Sequence, residues 1–233
     1  MATKRTYGQL CPLARAMDLL GERWTVLIVR ELLLGPKRFK DLQERMPAIG
    51  TNRIASRLQG LAEHGIVRRT TLPAPAGVAA WELTEFGEGL RAPLVGLGLW
   101  ALRTPALDGA DPETLRAESI ALSASGVIPP AALAGARTLY DLHVGDEHFH
   151  LQVGNGQMLP RSGPATVAPD VEMTCDLQTF LDLVLGTKKA VDAIESGTLT
   201  VVGDRKAIEE PLRRTGVASI VFLDIEGNVV EGQ

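Results

Sequence analysis

The stretch from Thr51 to Gly65, TNRIASRLQGLAEHG, constrains this chain more than any other. It opens on a threonine that can cap a helix and closes on a glycine suited to the position after one. Between them Ile54, Leu58 and Leu61 recur at helical spacing and share one face. Asn52, Arg53, Ser56 and Gly60 take the opposite face, with Arg57 at its edge. Such a helix must lay its apolar back on a core and hold an Asn/Arg/Ser front outward. That front has the chemistry for reading base edges, since arginine forks onto guanine and asparagine onto adenine.

The flanking segments supply the core. Pro12 suits a first helical turn, and Leu13, Met17 and Leu20 follow on one stripe before Gly21. Trp24 to Leu34 is almost wholly apolar and closes at Gly35-Pro36, so it is predicted to be a buried helix. A shorter helix carries Phe39, Leu42 and Met46 inward and ends at Pro47. After Gly65, a strand over Ile66 to Leu72, a turn-rich loop (PAPAGV, 73–78) and a return strand over Ala79 to Leu83 form a hairpin with Arg68 and Arg69 at its base. A helix-turn-helix followed by a basic hairpin is a winged helix. Thr84 caps a further helix, with Glu85 and Glu88 in its first turns and a stripe of Phe86, Leu90, Leu94, Leu97 and Trp100; Pro93 is expected to kink it. So small a domain has few partners for that stripe, which reads as part of a dimer seam.

Charge divides the chain in two. Residues 1–104 hold 15 Lys/Arg against 9 Asp/Glu, a net of +6, and residues 105–233 hold 9 against 19, a net of −10. A basic half suits phosphate and an acidic half is repelled by it. No apolar run is long enough to span a membrane, and Met1 to Tyr7 is polar with no hydrophobic signal region behind it, so a cytoplasmic protein is expected. Cys11 and Cys175 are far apart and lack metal-ligand spacing, so neither a disulfide framework nor a cysteine zinc site is indicated.

The Cys-Pro start at Cys11, Gly21 with Trp24, the turn Gly35-Pro36-Lys37-Arg38-Phe39, and Leu58, Leu61 and Gly65 together resemble the HxlR family of winged-helix regulators over roughly residues 8–103. The resemblance implies a homodimer paired through the first and last helices of the domain, bound to double-stranded DNA with one recognition helix per half-site of a palindromic operator. It assigns Thr51, Asn52, Arg53, Ser56 and Arg57 to bases and nearby phosphates. Lys37, Arg38 and Lys40, with Arg68 and Arg69 on the wing, would approach the backbone. Some members sense oxidants or electrophiles through a cysteine near the position of Cys11, which makes Cys11 a candidate redox residue. The alternative for it is an inert, half-buried thiol.

The second half reads differently. Residues 103–111 form a linker, and Asp111-Pro112 opens a helix to about Ser125. Tyr140 to Val144 and Glu147 to Val153 alternate around Gly145-Asp146, a two-residue hairpin turn. That register sets Leu142 opposite Phe149 and Tyr140 opposite Leu151 on one face. His143 then lies opposite His148, and Asp141 opposite His150, on the other. Asn155-Gly156 marks a second tight turn, Val171 to Cys175 a short strand, and Leu177 to Leu185 an apolar helix. A helix over Lys188 to Glu195, a strand at Leu199 to Val202 and an amphipathic helix over Asp204 to Arg214 complete an α+β domain, an antiparallel sheet with helices on one face.

The helix ending at Leu185-Gly186, the run Ala190, Ile194, Gly197 and the string LTVVGD resemble the sterol carrier protein-like fold over about residues 135–216. That resemblance implies an apolar cavity for a hydrophobic small-molecule effector, with Leu142, Phe149, Leu151, Phe180, Leu183 and Val184 as candidate lining. Ordinary core packing uses the same residue types.

The limits expected are a winged-helix DNA-binding and dimerisation domain at 1–104, a linker and connecting helix at 105–125, and a sterol carrier-like domain at 126–233. No cofactor and no catalytic residues are expected, since the chain has no Gly-rich phosphate loop, nucleophile elbow or triad. Asp141, His143, His148 and His150 share one hairpin face and are a ligand set for zinc or iron, or a pH sensor. The alternative for these four is a polar outer sheet face or a domain contact. The function expected is a DNA-binding transcription regulator. The alternative is a carrier or sequestering protein with a vestigial DNA module.

Overall fold

A computed structural model of the chain describes residues 6–73, 77–101 and 114–203. It divides into two compact units, Met1–Leu94 and Val95–Gln233. Part of the loop at 73–78, the linker with the Asp111-Pro112 helix start, and the helix expected over 204–214 lie outside the described residues.

The first unit begins with α1 (Pro12–Leu20), α2 (Thr25–Leu33), α3 (Phe39–Arg45) and α4 (Thr51–Glu63). The hairpin β1 (Val67–Thr71) and β2 (Ala79–Leu83) follows, then α5 (Glu85–Glu88); α6 (Arg91–Ala101) starts in this unit and carries the chain past its limit at Leu94. The apolar segment is the buried helix: Ile28, Val29, Leu32 and Leu33 of α2 are shielded from solvent, together with Leu42, Ile54, Leu58 and Leu61. The Glu31 carboxylate is buried with them, paired to Arg30 and, across to α3, to Arg45. A buried charge needs such partners.

Local chemistry sets the ends of α4. Gly50 takes the cap position, its carbonyl accepting from Arg53 and Ile54 at 2.9 and 3.2 Å, so Thr51 is the first helical residue and not the expected cap. At the other end Gly65 adopts φ +67°, its amide donates to the Ala62 carbonyl at 3.0 Å, and that of Ile66 donates to the Leu61 carbonyl at 2.9 Å. This paired closure satisfies carbonyls the helix leaves open, and glycine reaches the left-handed conformation without a Cβ penalty.

The wing pairs Val67 with Leu83 through Thr71 with Ala79. Thr84 caps α5, accepting from the Gly87 amide at 3.1 Å. The chain then breaks at Gly89-Leu90, where a single helix kinked at Pro93 was expected. Pro93 is instead the third residue of α6, in a first turn whose amides have no acceptor within the helix, so its missing N–H costs nothing there. A Cβ at Gly87 would stand 2.1 Å from the Ile66 carbonyl oxygen, which is backbone and cannot swing aside. Gly87→Ala is therefore expected to destabilise the protein by about 1–3 kcal/mol, read as a lowered midpoint in denaturant.

In the second unit α7 (Ala117–Ala124) is followed by a 3-10 turn (Pro130–Leu133), β3 (Thr138–Val144), β4 (Glu147–Gly154), β5 (Gln157–Ser162) and β6 (Val171–Cys175). Then come α8 (Leu177–Leu185), α9 (Ala190–Glu195) and β7 (Leu199–Gly203). The five-stranded sheet has the order β5-β4-β3-β6-β7. Every β3–β4 pair expected from the alternation is present. Gly145 has φ +56°, and Asn155 and Gly156 have φ +52° and +72°, as tight hairpin turns require.

The sheet is mixed, not antiparallel, because β6 pairs with β3 in parallel. The cause is the segment 163–170, which holds Gly163, Pro164 and Pro169 and so cannot continue as strand or helix. It returns the chain to the starting end of β3, where the Asp170 amide donates to the Leu139 carbonyl at 2.9 Å and the Asp170 carboxylate accepts from the Leu139 amide. On the way it crosses the polar sheet face, the Ala165 amide donating to Asp141 Oδ1 at 2.8 Å. The helices occupy the other face. Ala117, Ala121 and Ala124 of α7, Phe180, Leu183 and Val184 of α8, and Ala193 of α9 share one core with Leu142, Val144, Phe149, Cys175 and Leu199. The helix assigned to the connecting stretch thus packs into the second unit. Its free N-terminal amides at Ala117 and Glu118 are met by the Glu147 carboxylate of the hairpin.

Candidate nucleic-acid interface

Burial of Ile54, Leu58 and Leu61 turns the other side of α4 outward. Thr51, Asn52, Arg53 and Ser56 are exposed. Together with Gly50 and Arg57 they line a shallow, open groove. Arg53 has no ion-pair partner among the described residues, so its fork is available to an incoming acceptor.

Arg57 is held differently. It forms an ion pair with Glu22 at 3.1 Å, and its Nε is buried without a hydrogen-bond partner. It ties α4 to the turn before α2. The i, i+4 pattern of α4 put Arg57 at the edge of the front, but nothing local in the sequence identifies Glu22 as its counterion.

The backbone-contact set divides. Lys37 is only 4% exposed, which corrects the expectation that it approaches DNA. Its amide donates to the Trp81 carbonyl at 2.9 Å and its carbonyl accepts from Trp81 at 2.8 Å, so pairing with β2 draws it inward. Arg38, Lys40, Arg68 and Arg69 are exposed. Arg38 pairs with Asp41 across the first turn of α3. Burial raises the Asp41 pKa, yet the bonds from Arg38 more than offset it and the carboxyl ends below its ordinary value. Lys40 pairs with Glu44 at 3.4 Å and Arg68 with Glu82 at 2.8 Å. The Arg69 guanidinium lies 4.7 Å from the Trp81 ring centroid. Exposed ion pairs such as these contribute about 0–1 kcal/mol.

Cys11 is exposed beside the start of α1, and the amides of Ala14 and Leu13 lower its pKa. Burial pushes the Cys175 thiol up to about 11, with the nearby Asp176 charge adding to the effect. The expected result of alkylating the folded protein near neutral pH is modification at Cys11 alone, with Cys175 reacting only in denaturant; peptide mapping reads both. Burial likewise raises Tyr140 to about 12. Both Cys175 and Tyr140 have folded values above their ordinary ones of 9.0 and 10.0. Their neutral forms therefore support the fold below about pH 9, and this contribution is lost as the pH rises through 11 to 12. Alkaline titration followed by circular dichroism checks that window.

The six candidate lining residues of the second unit are brought together between sheet and helices. Leu142, Phe149, Phe180, Leu183 and Val184 are buried, Leu151 is half-buried against them, and Phe149 meets Phe180 edge-on at 5.9 Å. On the opposite face Asp141, His143 and His148 converge. His150 is set apart from them, with its Nδ1 2.9 Å from the Gly163 carbonyl.

Comparison with known proteins finds separate matches for the two halves of the chain. The family model described as HxlR-like helix-turn-helix matches residues 19–105. The HTH-type transcriptional regulator YodB of Bacillus subtilis is 40% identical over 93 residues, which cover 40% of this chain and 83% of YodB. The chain belongs to the HxlR-like helix-turn-helix family. It is a DNA-binding transcription regulator of HxlR type. The B. subtilis regulator YvaP is 34% identical over 96 residues, covering 40% of this chain and 88% of its own. A solved structure of the reduced form of YodB shows 36% identity, covering 44% of this chain and all of that one, with a TM-score of 0.37. Beyond the HxlR-type module, the model described as alkyl sulfatase C-terminal matches residues 120–214. Among the described residues of this regulator, no helix is long and apolar enough to cross a membrane.

Proposed function

We propose that this regulator acts as a cytoplasmic homodimer that sets two α4 helices into successive major grooves of a palindromic operator. Thr51, Asn52, Arg53 and Ser56 face base edges, with Arg57 reaching DNA only by leaving Glu22. Arg38, Lys40, Arg68 and Arg69 lie along phosphates. The observation that carries this reading is the exposed Thr/Asn/Arg/Ser front of α4 over a buried Ile/Leu/Leu back. Dimerisation is supported by apolar side chains left in solvent on α1, α5 and α6: Leu13, Phe86, Leu97 and Trp100 are all more than half exposed. Uncovered apolar surface of this kind marks an association site.

The domain limits proposed are 1–104 for the DNA-binding and dimerisation module, 105–125 for the connecting stretch, whose α7 joins the second core, and 126–233 for the second domain. The second domain is read as sterol carrier protein-like and as the receiver of a hydrophobic effector, supported by its mixed sheet with helices on one face and by the convergence of Phe149, Phe180 and Leu183. No enzymatic role is proposed, since the relatives are transcriptional regulators. The test is a gel shift on duplexes selected from a random pool, run across a salt series. A regulator of this kind retains a symmetric consensus and loses affinity steeply with salt. Binding without a consensus at any salt would remove the reading of α4 as a sequence-specific element.

A further inference from the structure

We propose that the second unit holds a divalent transition-metal ion of the zinc class through Asp141 Oδ2, His143 Nε2 and His148 Nε2. The three donor atoms come from two adjacent strands on one sheet face. Asp141 and His143 stand two apart on β3, and His148 is directly opposite His143 on β4. Strand geometry therefore points all three side chains to the same side. The donor atoms all lie within 4.8 Å of one another, with His148 Nε2 2.6 Å and His143 Nε2 3.7 Å from Asp141 Oδ2. Around a zinc ion with bonds of about 2.0–2.2 Å, tetrahedral donors stand roughly 3.3–3.5 Å apart. The ion enters by replacing the proton between His148 and Asp141, which passes to solvent, and that contact widens by less than about an ångström as the donors close around the ion.

The carboxylate is already aimed. Asp141 is buried, and its Oδ1 is occupied by the Ala165 amide at 2.8 Å, which leaves Oδ2 turned to the imidazoles. A hydrogen bond on the outer oxygen of a carboxylate ligand is the support that metal sites use to fix their donors. The two ring centroids are 3.8 Å apart and the ring planes are tilted by 32°, which sets the two imidazoles side by side next to the carboxylate. The His143 side chain is 47% exposed and that of His148 32%, so a fourth position faces water and remains exchangeable. Two imidazoles and one carboxylate suit zinc and its neighbours, not calcium or magnesium, which need oxygen donors. Bound there, the ion clasps the β3–β4 hairpin to the crossover segment 163–170 through Asp141.

The experiment uses the full chain, stripped with chelator and dialysed. Zinc is titrated calorimetrically and by thermal unfolding, and cobalt by its visible spectrum. The expected result is one equivalent per chain, a rise in Tm, and cobalt bands without a sulfur charge-transfer feature. His143→Gln, which keeps a polar group at an exposed place, and His148→Ala should each weaken binding at least tenfold, as loss of a ligand exceeds the roughly 10–100-fold cost of losing a ligand's support. Cys11→Ser should bind as the parent does. Absence of binding, affinity unaltered in both histidine variants, or a thiolate band that disappears in Cys11→Ser would each overturn the proposal.

Discussion

Arg53→Ala is expected to cost about 1–3 kcal/mol of operator affinity, roughly 5- to 150-fold, and to relax base preference at one position of each half-site. The size follows from what Arg53 is free to do. It stands on the exposed front of a helix whose back is fully buried, and no carboxylate among the described residues competes for its guanidinium. Its five donors are available to a guanine edge. Arg57 makes the contrast. Its guanidinium must leave Glu22 at 3.1 Å before it touches DNA, so Arg57→Ala should cost less than Arg53→Ala. Glu22→Gln should free it and steepen the salt dependence by about one unit of log–log slope, the signature of one further phosphate contact. Fluorescence anisotropy on a selected duplex, run across a salt series, measures all three. An Arg53→Ala protein that binds with parental affinity and consensus would take α4 out of the reading role.

Phe149→Ala should produce the largest loss of stability in the second unit, about 3–5 kcal/mol. Phe149 is fully buried on β4, between β5 and β3, and abuts Phe180 of α8, so truncation leaves a hole bounded by strands on one side and helices on the other. Neither layer can collapse into it without breaking the other's packing. For a unit of this size the loss lowers the unfolding midpoint by more than about 10 °C. Differential scanning calorimetry of the full chain reads it. A drop of only a degree or two would mean that the space around Phe149 is already loose, which is the behaviour of a ligand cavity and not of a close-packed core.

Much of this molecule could be read before its coordinates. The hairpin register from Tyr140 to Leu151 followed from alternation, because a slip of one residue would have turned Leu142 and Phe149 to the polar side. The span of α8 followed from the apolar run Leu177 to Leu185 and the glycine after it, Gly186, which takes φ +72°. The burial of Ile54, Leu58 and Leu61 followed from their spacing. Each of these is a local property, fixed within a turn of helix or a pair of strands.

Other features depend on residues that meet only after folding. The parallel pairing of β6 with β3 depends on where the segment 163–170 delivers the chain, and short-range alternation is the same for either direction. Lys37 looks like one more basic residue in a turn until Trp81, far along the chain, takes up its backbone amide and carbonyl and buries it. His150 alternates in step with His148, yet Gly163 claims its ring nitrogen and leaves a three-residue cluster in place of four.

The helix from Thr51 to Glu63 shows the same division most clearly. Its sequence by itself determined that one side is buried and the other offered, since apolar periodicity alone decides which face leaves water. Only the tertiary structure decided which of the offered cations is at liberty. A guanidinium's partner is chosen by through-space distance, and Glu22 reaches Arg57 but not Arg53.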